Sequence, residues 1–94
     1  MTDAQLLALL EAVKIDLGIV TDRYDTRLKQ MIQASAEMIR EEGATLNFDS
    51  YKDCQIVEMY ACWLWRRRDT GEGMPRMLRY ALNNRIFGEK MRNA

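Results

Sequence analysis

The stretch from Tyr51 to Arg68, YKDCQIVEMYACWLWRRR, limits the possible folds of this chain more than any other. Two apolar rows run along it at the three-to-four-residue step of an α-helix. One holds Cys54, Val57, Ala61 and Leu64 and ends on Arg68; the other holds Ile56, Met59, Tyr60 and Trp63 with the stem of Arg67. Together they are too wide for a single stripe. A helix apolar over most of its girth lies at the centre of a bundle, or is shared between a bundle and a partner. Ser50 is a good N-cap, and Asp53 can reach back to the cap or favour the positive end of the helix dipole. The closing Arg66, Arg67 and Arg68 suit the negative end as a solvated terminus.

Around that rod the pattern predicts three more helices, giving an all-α chain: a small bundle of about four helices with short loops, one domain over 1–94. Thr2 and Gln5 form a capping-box pattern, and Leu6, Leu9, Leu10 and Val13 line a face that stops at Gly18, so the first helix covers about 3–16. Ile19 and Val20 are expected to tuck the connector into the core. Thr21-Asp22 opens a second helix over 22–42, with Leu28, Met31, Ile32, Ser35 and Ile39 on its inner face. The loop 44–49 has Leu46 and Phe48 as anchors. The third helix spans 51–68. Gly71 and Gly73 mark a break, either a plain surface turn or a mobile loop. Pro75 starts a fourth helix over 75–87, with Met74, Met77, Leu78, Ala81, Leu82 and Ile86 as its apolar face and Arg76, Arg79 and Arg85 as its basic flank. Phe87-Gly88 reads as its end and 88–94 as a short tail. Alternation typical of strands is absent.

The totals narrow the functions. Formal charge is zero, against a general nucleic-acid binder, yet it is unevenly placed: residues 1–50 carry five cations against nine acids, a balance of −4, and residues 51–94 nine against five, +4. Two arrangements fit this split: copies packing acidic face on basic face, or the halves neutralising each other within one fold. There is no histidine, the commonest general base and metal ligand. Cys54 and Cys62, roughly 12 Å apart along one helix at about 1.5 Å per residue, are too far apart for a disulfide; with no further ligand, zinc is not expected, and both read as core thiols of a reducing compartment. No signal peptide or membrane-length apolar run is seen, so the expectation is a soluble, intracellular product without a membrane partner.

No catalytic, cofactor-binding or metal-binding residues emerge. Ser35 and Ser50 have no base to activate them, Gly71-x-Gly73 is too short and too acidic for a phosphate cradle, and Glu41-Glu42 and the Asp53/Glu58 pair read as solvated acids. The chain therefore reads as a non-enzyme with no cofactor. Of seven methionines, Met31, Met59 and Met77 are expected in the core. Trp63 and Trp65 project about 200° apart on the helical wheel, so both cannot face one core. Either one lies at a subunit or partner contact, or one packs under the 44–49 loop.

The order of parts is itself informative: a short leucine-rich helix closing at Asp16-Leu17-Gly18, an acidic start leading into YDTRLKQMIQASAEMIREEG, a central helix ending ACWLWRRRDTG, and a proline-started MPRMLRYALNNRIFG. Over nearly its whole length this resembles the head–tail connector (adaptor, or head-completion) proteins of long-tailed bacteriophages. The resemblance implies a virion assembly protein made in the bacterial cytoplasm. It would form a ring, typically of twelve copies in the virion, beneath the portal after DNA packaging. That ring extends the DNA channel and docks the stopper or tail completion protein. The segment from Met74 to Phe87 and the tail become candidates for portal contact, and the loops 44–49 and 69–73 for partner or lumen contact. Protein-interface candidates are Trp63, Trp65, Arg66, Arg67, Arg68, Arg76, Arg79 and Phe87; Arg67 and Arg68 are also candidates for non-specific contact with DNA in the channel. The alternative is a small helical nucleic-acid-binding packaging or regulatory protein, from Arg66–Arg68 with Arg76 and Arg79 across a turn.

Overall fold

A computed structural model describes the backbone of residues 1–93 and the side chains of residues 1–92. Four helices follow one another: α1 (Asp3–Leu17), α2 (Asp25–Glu41), α3 (Tyr51–Thr70) and α4 (Arg76–Asn93). The all-α reading holds, and α3 is the organising element. It packs against each of the other three helices, while α4 packs mainly against α3.

Local chemistry explains most of the helix ends. At the start of α1 the Thr2 hydroxyl accepts from the Gln5 amide while the Gln5 side chain accepts from the Thr2 amide, a complete capping box. Gly18, at φ 70°, closes α1 in the left-handed conformation that costs glycine little. Gly71, at φ 66°, closes α3 in the same way, two residues later than expected. The Ser50 hydroxyl caps α3 by accepting from the Asp53 amide.

Two boundaries depart from the sequence reading. α2 begins at Asp25 rather than 22, because the Thr21 hydroxyl accepts from the Arg23 amide in a local turn instead of capping a helix. Val20, expected in the core, is fully exposed beside that turn, while Ile19 does pack inward. The larger correction is at the other end. α4 does not stop at Phe87-Gly88; the helix runs through Gly88 to Asn93, so the expected tail is helical, and Ala94 lies outside the described residues. Arg85 pairs with Glu89 at 2.7 Å and Arg92 pairs with Glu89 at 2.8 Å, so one carboxylate ties together the turns on both sides of the glycine.

The core draws Leu9, Leu10 and Val13 from α1, Leu28, Ile32 and Ile39 from α2, Val57, Tyr60 and Trp63 from α3, and Leu78 and Leu82 from α4. Leu46 and Phe48 anchor their loop against it as expected. Met31 is buried and Met59 partly so, but Met77 points to solvent. The molecule measures 45 × 30 × 18 Å, so the bundle is thin, and α1 and α4 each keep a face that its own chain leaves uncovered.

Candidate functional site

The central position of α3 decides what happens to its aromatic and basic end. Trp63 is 8% exposed: its indole N–H donates to the Glu72 carbonyl at 3.2 Å, and its ring meets Tyr60 edge-on at 5.4 Å. The anchor is thus the 71–75 connection, not the 44–49 loop. Trp65, half-buried on the other side, meets Tyr24 edge-on at 5.4 Å. Both flanks of α3 are served from within the protomer, which a helical wheel read for one core could not anticipate. Two of the arginines then lie on these rings. The Arg67 guanidinium lies 5.0 Å from the centre of the Trp63 ring, and that of Arg68 lies 3.5 Å from the centre of the Trp65 ring, both in cation–π geometry. Arg79 pairs with Glu42 at 2.8 Å, Arg76 is exposed at the start of α4, and Phe87 is 65% exposed. The structure does not bring these eight residues into one pocket.

It does build two polar clusters from residues that the sequence left among solvated acids. Asp53 and Glu58 are both 3% exposed. Asp53 accepts from the Asn47 amide at 2.8 Å and takes two bonds from Arg85, through Nε at 2.8 Å and Nη2 at 3.3 Å. Arg85 also donates to the Thr45 carbonyl and to Glu89. One guanidinium therefore fastens α4 and the 42–50 connection to the start of α3. Its hydrogen bonds to Asp53 and Glu89 raise the Arg85 pKa further, and the bond from Arg85 holds Glu89 down to about 2. The sequence signal was present in the N3 position of Asp53, but it pointed to the cap and the dipole, not to an arginine 32 residues away.

The second cluster joins α1 to α3. Ligating atoms of Asp16, Glu58 and Cys62 lie within 4.8 Å of one another, and the Cys62 thiol donates to Glu58 Oε1 at 3.4 Å. Burial first, and the Asp16 carboxylate next, push Glu58 up to about 7; the thiol bond and the charge of Arg66 oppose them. Burial and the Glu58 carboxylate push Cys62 up to about 12. The trio sits beside a cavity of about 310 Å³ also lined by Arg66, Met59 and Leu78. At neutral pH the Cys62 thiol is held protonated, the form that is not a nucleophile. The site favours the protonated form of Glu58 beside the Asp16 carboxylate. Cys54 is likewise a packed thiol: it donates to the Phe48 carbonyl at 3.1 Å, and burial raises its pKa.

Two surfaces remain uncovered by the chain itself. On α4, Met77, Tyr80, Phe87 and Met91 stand exposed at helical spacing. On α1, Leu7 and Ile15 are exposed, and a groove of about 520 Å³ opens between α1 and α3. Among the described residues, no helix is long and apolar enough to cross a membrane. No protein-family model matches the chain, and neither a curated protein nor a solved structure matches it.

Proposed function

We propose that this chain is a non-enzymatic virion assembly protein, a ring-forming adaptor that sits beneath a phage portal, extends the DNA channel and docks the stopper or tail. The observation that carries the reading is the pair of uncovered apolar faces on opposite-charged helices. α4 holds five Lys and Arg against one acid, and α1 three acids against one lysine. Exposed apolar surface of this kind is typical of proteins that work by association, and opposite charge on the two faces favours copies meeting head to tail in a closing ring. The helix order resembles that of head–tail connectors, and the two polar clusters add packing and a stored proton but no activated nucleophile.

In this reading the last turns of α4, from Gly88 onward, meet the portal, and the connections at 42–50 and 71–75 meet the stopper or the lumen. The nucleic-acid alternative loses weight because the formal charge is zero and Arg79 is paired with Glu42 within the protomer. The direct test adds the purified chain to DNA-filled, portal-bearing heads that lack the product. Co-sedimentation and restored tail joining are expected. A chain that ignores such heads at every concentration defeats the proposal, whereas a monomer in free solution does not, since assembly on the portal alone would satisfy it.

A further inference from the structure

The exposed face of α4 is an apolar row with cations beside it, and the groove between α1 and α3 is a largely apolar concavity with acids beside it. Met77, Tyr80 and Phe87 form a row about 15 Å long, at about 1.5 Å per residue, and α4 around them is basic, with Arg76 and Lys90 exposed. The groove is walled on α1 by Gln5, Ala8 and Ala12 and on α3 by Tyr51, Cys54 and Gln55. Alanines at Ala8 and Ala12 keep that wall low, so a neighbouring helix can approach. Tyr51, which lines the groove, is 95% exposed. The acids beside it are Asp49 at the groove and Glu11 and Asp16 on α1, while Lys14, the one cation of α1, is taken by Asp25 at 2.8 Å.

We infer that the groove between α1 and α3 receives the α4 row of a second copy of this chain, with Phe87 seated between Ala8 and Tyr51. The inference rests on the reading above for the claim that copies of the chain meet. Charge selects this pairing over α4 against α4: each α4 would bring Arg76 and Lys90, exposed beside the row, and like charges facing one another oppose association. The contact is heterologous. Each docked copy keeps a free groove and a free α4, so the contact propagates to a ring or an open chain.

Two variants of the full chain and their mixture test it by sedimentation velocity. Phe87→Glu spoils the α4 row and leaves the groove; Ala8→Arg fills the groove with a cation and leaves the row. Both positions are exposed, so the fold is retained, and circular dichroism checks this. The wild type is expected to form species larger than a dimer as concentration rises to millimolar, less so in high salt. Each variant alone is expected to associate at least about tenfold more weakly, from the loss of one buried aromatic contact. An equimolar mixture is expected to form a dimer and nothing larger, because only one intact row and one intact groove remain. A wild type that stays monomeric at millimolar concentration overturns the inference. So does an Ala8→Arg chain that associates like the wild type, which would mean α4 against α4 or another partner surface. Variants that bind portal-bearing heads while associating normally would defeat this contact and leave the adaptor reading standing; docking without head binding would do the reverse.

Discussion

Replacing Glu58 by Gln isolates the proton held between α1 and α3. In the native state Glu58 is raised from 4.5 to about 7, first by burial and then by the Asp16 carboxylate. The folded chain therefore binds this proton more tightly than the unfolded chain. Its contribution to stability is complete below about pH 4.5 and is lost as the pH rises through about 7. A shift of that size corresponds to about 3 kcal/mol, at about 1.4 kcal/mol per pH unit. Most of it falls between about pH 5 and pH 8. The window is otherwise quiet, because the chain has no histidine, and Glu89, held near 2 by Arg85, acts only in strong acid, where its contribution is lost as the pH falls. Gln keeps the shape and an acceptor for the Cys62 thiol but has no proton to lose. The assay is urea unfolding, followed by tryptophan fluorescence, at several pH values across the window. The wild type is expected to lose most of the 3 kcal/mol as the pH rises. The Gln variant is expected to stay flat and to exceed the wild type at pH 8, by roughly 10 °C or more in midpoint temperature. A Gln variant that keeps the slope of the wild type would refute the assignment of the proton to this carboxyl.

Four further outcomes follow from named contacts. Arg85→Ala leaves the Asp53 carboxylate buried without its cation and is expected to cost about 3 kcal/mol or more in urea unfolding, with earlier hydrogen exchange in α4. Gly88→Ala is expected to stabilise by about 0.5–1 kcal/mol, since Gly88 lies inside α4 with open space where a Cβ would go, whereas Gly18→Ala, at φ 70°, is expected to destabilise by about 1 kcal/mol; thermal melts of the two variants should move in opposite directions. A thiol-specific reagent at neutral pH is expected to leave Cys62 unmodified in the folded chain and to modify it at once in denaturant; rapid native labelling at Cys62 would contradict its raised pKa. Duplex DNA titrated at low salt is expected to show no tight binding to the free protomer, because its formal charge is zero and Arg79 is paired with Glu42; tight binding there would revive the nucleic-acid alternative.

By itself the sequence determined the helical class, the central place of α3 and most of the helix ends. These follow from local rules: apolar spacing of three and four, the Thr2–Gln5 box, the Ser50 cap and a glycine at Gly18 and Gly71. Only the tertiary structure decided the fate of the charged and aromatic side chains. Asp53 is buried as a charge because Arg85, 32 residues away, pairs with it, whereas Glu58 is buried beside Asp16 of another helix in a site that favours its protonated form. Local pairs carry α4 through Gly88, since Glu89 meets Arg85 and Arg92 one turn away on either side, whereas the cover that Tyr24 gives Trp65 comes from another segment. The physical reason is that a helix follows from neighbours within one turn, whereas the cost of desolvating a charge is offset only by partners that the fold brings from elsewhere.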